Sequence, residues 1–212
     1  MNRSFQNCLS FSFILVAQLN GFAKTLSEEV RPDLEFRVRV FNYAEASMET
    51  WNGAREVAAR IFSRAGIETS WLVCSLSSEG RYTPIACEQP TDRLDLILRL
   101  VPVSPATRAQ FGYDTLGLAA QPERGTPATA SVFYSRIEEL AKGGTASVPV
   151  ILGHAAAHEI GHLLLGSNSH TSLGLMRARW SPQDLQTAAA GNLLFMPKQA
   201  QAMRANARGR LR

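Results

Sequence analysis

The segment His158-Glu159-Ile160-Gly161-His162 constrains this chain more than any other feature. It lies in a long apolar run, Val150 to Leu165, that follows the chain breakers Gly143 and Gly144. The run is predicted as a helix. Residues four apart on a helix project from one face, one turn apart. Two imidazoles so placed can each bring a nitrogen about 2.0–2.1 Å from one zinc ion. Glu159 stands beside the first imidazole and can reach a water on that ion without ligating it. Zinc makes such a water acidic and polarises a carbonyl; the carboxylate takes the proton and passes it on. His158 and His162 are therefore candidate ligands, and Glu159 is the candidate catalytic base and acid.

A catalytic zinc takes three protein ligands and keeps one position open. All four histidines of the chain lie between His154 and His170, so the third ligand has two candidates. His154 is on the motif face, one turn before His158. It is eight residues from His162, about 12 Å along the axis, too far for one ion to bind all three on a straight helix. It is expected to be structural or to line the cleft. Downstream, Gly166 can take the left-handed conformation that ends a helix. Ser167, Asn168 and Ser169 are turn formers. The chain then returns with His170, the expected third ligand. One catalytic Zn(2+) is the expected cofactor, since three imidazoles suit zinc.

The rest of the chain predicts an α+β fold. Leu34 to Tyr43 alternates apolar and polar residues, as a half-buried strand does. Glu49 to Ala65 carries Trp51, Ala54, Val57, Ala58, Ile61 and Phe62 on one helical stripe, and Gly66 follows as a terminator. Ile67 to Cys74, Leu94 to Val101, Leu116 to Ala120 and Thr129 to Tyr134 are further strands. Ser75 to Thr91 and Gln121 to Pro127 are a loop and a turn. The order predicts one domain, a mixed sheet backed by two main helices, the second carrying the metal motif.

The first 23 residues are expected to be a cleaved export signal: Arg3, an apolar stretch from Leu9 to Leu19, then small residues at Gly21 and Ala23. That stretch is short for a membrane span. No stable membrane insertion and a secreted or periplasmic location are expected. Cys8 would leave with the signal, and Cys74 and Cys87 are expected to pair, since exported thiols oxidise. Residues 24–195 are the expected catalytic domain. Residues 196–212 form a basic tail: Lys198, Arg204, Arg208, Arg210 and Arg212 lie there, and no acidic residue follows Asp184. The tail is expected to be a solvated, partly disordered end. It lacks the interleaved aromatic residues that stack bases, so no nucleic-acid partner is expected. The protein is expected to be a monomer.

The motif and its surroundings resemble the metzincin zinc metallopeptidases, and among them the matrixin-like ones. That family carries H-E-x-x-H-x-x-G-x-x-H and then a turn with a methionine beneath the metal. This chain reads His158-Glu159-Ile160-Gly161-His162, then Gly166, then His170, then Leu175-Met176. Gly166 comes one residue later than in the family pattern and His170 two later, so the stretch from Leu163 to Ser169 is lengthened. The resemblance implies a twisted mixed sheet and a C-terminal helix starting near Ser181-Pro182-Gln183-Asp184-Leu185. It implies a hydrophobic floor at Met176 and a substrate-pairing edge strand at Leu116-Gly117-Leu118-Ala119. It also implies a metalloendopeptidase acting on peptide or protein substrates. The altered spacing keeps a second reading in play: a secreted zinc-binding or interaction protein on the same scaffold, with little or no turnover.

Overall fold

Alternation and helical periodicity account for most of the framework. In the computed structural model β1 (Glu35–Asn42) buries Phe36, Val38 and Val40 on one face, as its alternation predicts. α1 (Met48–Arg64) follows, its first turn closed by Ser47 Oγ accepting from the Thr50 amide. β2 (Glu68–Val73), β3 (Asp95–Val101), β4 (Gly117–Ala120) and β5 (Thr129–Phe133) complete a sheet of order β2-β1-β3-β5-β4. All neighbours are parallel except β4, which pairs antiparallel with β5 and forms one edge. The described residues are 34–74, 85–111, 114–121, 128–166 and 168–210, with only the backbone described for residues 106–108. The expected signal segment with Cys8, most of the 75–91 loop, most of the 121–127 turn and Ser167 lie outside them.

The metal-motif helix is α4 (Val148–Leu165), flanked by α1 and by the sheet. Its 18 residues are apolar enough to cross a membrane by length and composition, yet it is the central buried helix of the core. A helix apolar all round belongs in such a place. The core gathers Phe36, Val38, Leu98 and Val132 of the sheet, Trp51 and Phe62 of α1, and Ile151, Leu152 and Ile160 of α4.

Two short helices went unread in the sequence. α2 (Pro105–Phe111) begins at a proline shortly after β3, and α3 (Tyr134–Ala141) runs straight out of β5. Each is too brief to show a clear period. The disulfide between Cys74 and Cys87 is formed, with Cα atoms 5.6 Å apart. Beside it Arg39 donates to the carbonyls of Gln89 and Pro90 and to Asp95 Oδ2, pinning this loop end to the sheet.

The tail reading is corrected. The start expected for the C-terminal helix is α5 (Pro182–Ala189), opened by a capping box between Ser181 and Asp184. A further helix, α6 (Pro197–Arg210), then occupies most of the expected solvated tail. Ala200, Met203 and Ala207 are buried against the core. They are three and four residues apart, a narrow stripe that docks the helix although the rest of its surface is polar.

Candidate metal centre

α4 ends where the site begins. His158 and His162 project from one face of it, and Gly166 stops it with φ 93° and ψ 174°. That conformation is open to glycine alone and is extended rather than left-handed helical, so the chain leaves α4 abruptly. Asn168 then turns with φ 64°, and His170 comes back beside the helix. His170 thus reaches the motif helix despite the lengthened spacing. His162 Nε2 lies 3.1 Å from His158 Nε2 and 3.1 Å from His170 Nε2. All three donor nitrogens lie within 4.8 Å of one another.

The two 3.1 Å separations suit a zinc ion. Two nitrogens each held 2.0–2.1 Å from one zinc stand about 3.3 Å apart at a tetrahedral angle. The far side of each motif ring is also tied down. His158 Nδ1–H donates to the Leu175 carbonyl at 2.8 Å, which leaves Nε2 as the bare acceptor. His162 Nδ1 is hydrogen-bonded to Ser169 Oγ at 2.8 Å. Such outer bonds set ring orientation and tautomer in metal sites. Burial lowers the pKa of His158 to about 4, with His162 and His170 adding to the effect against the Leu175 bond. Burial, followed by the charge of His170, also lowers His162 to about 4. Both rings therefore stay neutral lone-pair donors well into acid.

His154 is not part of the cluster. It is 1% exposed, donates Nδ1–H to the Val150 carbonyl at 2.8 Å, and stands edge-on to Trp180. It is a buried residue of the helix interior, one of the two places the sequence allowed it.

Glu159 is 6% exposed and opens into the same cavity as the three histidines. Burial pushes its pKa up to about 8, with no charge or hydrogen bond opposing it. A divalent cation beside it acts the other way and favours the carboxylate. The cavity measures about 350 Å³ and is bounded on one side by Leu116, Gly117, Leu118 and Ala119. These include the edge strand β4, which lies directly over Glu159: a Cβ on Gly117 would stand 2.6 Å from Glu159 Cγ. Met176 is fully buried beneath α4, at the point where Gly161 lets the helix approach its sulfur. The turn that carries it is closed by Thr171 N–H donating to the Met176 carbonyl at 2.9 Å.

Several further residues support the site. Trp180 Nε1–H donates to the Leu175 carbonyl at 3.1 Å, the same oxygen that orients His158. Gln121 Nε2–H donates to the His162 carbonyl at 2.7 Å and ties the end of β4 to the last turn of α4. Arg179 and Asp114 form an ion pair, 3.4 Å apart, at the lining of the cavity. Nothing in their local sequence marks them, since each matters only through a distant partner.

A mixed five-stranded sheet, an apolar helix bearing H-E-x-x-H and a third histidine folded back beside it define a metzincin-like fold. No protein-family model matches the sequence, and no curated protein matches it. Among solved structures the fold is similar to archaemetzincin from Methanopyrus kandleri, with a TM-score of 0.54 at 13% identity, over 84% of this chain and 99% of that one. A zinc-dependent peptidase from Methanocorpusculum labreanum strain Z aligns with a TM-score of 0.49 at 15% identity, over 78% of this chain and 99% of that one. Metalloproteinase-II from Bacteroides fragilis aligns with a TM-score of 0.49 at 13% identity, over 85% of this chain and 55% of that one.

Proposed function

We propose that this chain is an exported zinc-dependent metalloendopeptidase. One observation carries the reading: three imidazoles converge with their donor nitrogens within 4.8 Å of one another while an unbonded, buried carboxylate faces the same cavity. His158, His162 and His170 would hold the metal. Bound zinc supplies Lewis acidity, which makes water easier to deprotonate and a carbonyl easier to attack. Glu159 takes the proton on a carboxylate oxygen and returns it to the leaving nitrogen. Its confinement under β4 keeps bulk water from competing for that proton. β4 presents an unpaired backbone edge to the cavity, suited to an extended peptide lying antiparallel or parallel to it. The lengthened motif was the feature favouring a binding protein without turnover, and His170 reaches the cluster all the same.

The Cys74–Cys87 disulfide supports export, since such bonds persist in oxidising compartments. N-terminal sequencing of the exported protein should begin at Lys24. Peptide-library hydrolysis by the zinc-loaded protein should stop with chelator and fall at least about 10²-fold in Glu159→Ala, the scale of lost general acid–base catalysis. Equal turnover by parent and variant would refute the mechanism.

A further inference from the structure

We propose that α6 is a clamp for the third metal ligand, with the Gln199 amide as its positioning residue. The inference rests on the reading of His170 as a ligand. His170 is exposed and lies beyond a lengthened loop, so neither α4 nor its own burial holds it in place. Ordering such a segment costs backbone entropy that some other element must offset. α6 does this at two levels.

First, it caps the end of α4. The last carbonyls of a helix have no partner within it. Here Leu163 O accepts from Arg210 Nη2 at 2.6 Å, and Leu164 O accepts from Asn206 Nδ2 at 2.8 Å. Second, Gln199 grips the ligand segment itself. Its Nε2 donates to Ser169 O at 3.4 Å and to Thr171 Oγ1 at 3.2 Å, one residue to either side of His170. Its Oε1 accepts from the Met196 amide at 2.9 Å, which holds the side chain in one orientation. Gln199 is 8% exposed, so these bonds are shielded from water. Ser169 is also the residue whose hydroxyl meets His162 Nδ1. One buried amide therefore reaches the surroundings of two of the three ligands.

The anchor of α6 is separate from this grip. Met203 and Ala207 pack into the core, and Arg204 Nη1 donates to Ala65 O at 2.5 Å, at the far end of α1. Docking and positioning can thus be cut independently. Gln199→Leu removes all three bonds at similar volume. Arg204→Ala loosens the docking and touches nothing at the metal.

The test is zinc affinity by chelator competition, with the visible spectrum of the Co(II)-substituted protein as a second readout. Gln199→Leu should raise the zinc dissociation constant about 10- to 100-fold, as loss of an outer partner does, and should alter the Co(II) bands. Gln199→Glu keeps the bond from Met196 and loses both donated ones. It should show the same direction of change and serves if the leucine variant does not fold. Arg204→Ala should lower the unfolding midpoint while zinc affinity stays within about twofold. A Gln199→Leu protein with parental affinity and spectrum overturns the clamp, as does Arg204→Ala weakening zinc equally. His170→Ala separates the two ideas. If it holds zinc as tightly as the parent, the ligand reading itself fails; if it loses zinc while Gln199→Leu does not, only the clamp fails.

Discussion

Adding one methyl group at Gly117 should silence the site without emptying it. A Cβ there would stand 2.5 Å from the Ser131 carbonyl oxygen, 2.6 Å from Glu159 Cγ and 2.8 Å from Glu159 Cδ. Ordinary van der Waals contact begins near 3.4 Å. Relief therefore requires a separation of about 0.8 Å between β4 and the Glu159 side chain. Ser131 O belongs to the paired strand β5 and cannot swing aside, so the displacement falls on Glu159 or on β4 as a whole. Overpacking of this kind costs roughly 1–3 kcal/mol of stability. A catalytic group misplaced by about 1 Å costs on the order of 10²-fold in rate. The Gly117→Ala variant should keep one zinc per chain, because no ligand lies in its path, and lose about 10²-fold in kcat. Initial rates on a fluorogenic peptide, metal analysis and urea unfolding together measure the three terms. Leu118→Ala, the next residue on the strand, should lose far less. Full activity and parental stability in Gly117→Ala would show that β4 does not set the position of Glu159.

Other outcomes follow from the same geometry. His170→Ala should weaken zinc by more than the roughly 10- to 100-fold typical of an outer partner, whereas His154→Phe should leave zinc stoichiometry unchanged; metal analysis after dialysis separates them. In metal-free protein, His158 and His162 bind protons near pH 4 when folded but near 6.5 when unfolded. Their contribution to stability is complete above the unfolded value and is lost as pH falls toward about 4, because the unfolded chain binds the protons first. Glu159 acts oppositely: its pKa rises from 4.5 to about 8 on folding, so stability falls as pH rises through that window. Thermal melts of chelated Glu159→Gln should lack this decline between about pH 4.5 and 8. Replacing Cys74 and Cys87 by serine should cost about 3 kcal/mol in denaturant unfolding while zinc binding persists, as the loop-closure entropy of a short bridge predicts.

Much of the site was legible because it is local. His158, Glu159 and His162 share one helix, and the period of that helix places them without reference to anything else. The five strands showed as alternating or apolar runs between turn residues, and the two cysteines of the expected mature chain could pair only with each other. α6 was not legible. Its sequence is mostly polar, and only Ala200, Met203 and Ala207 carry the buried stripe, while Asn206, Arg204 and Arg210 attach it through carbonyls far away in the chain. A composition count reads those arginines as a solvated tail; the fold spends two of them as caps on other helices.

The sequence by itself determined a helix with two histidines placed to share one ion and a carboxylate beside them, since these depend on spacing within about one turn. Only the tertiary structure decided that His170 returns to within 3.1 Å of His162, why residue 117 carries no side chain over Glu159, and which contacts surround the His170 segment. Those are contacts between elements distant in the chain, and local periodicity carries no information about which distant surface a side chain will meet.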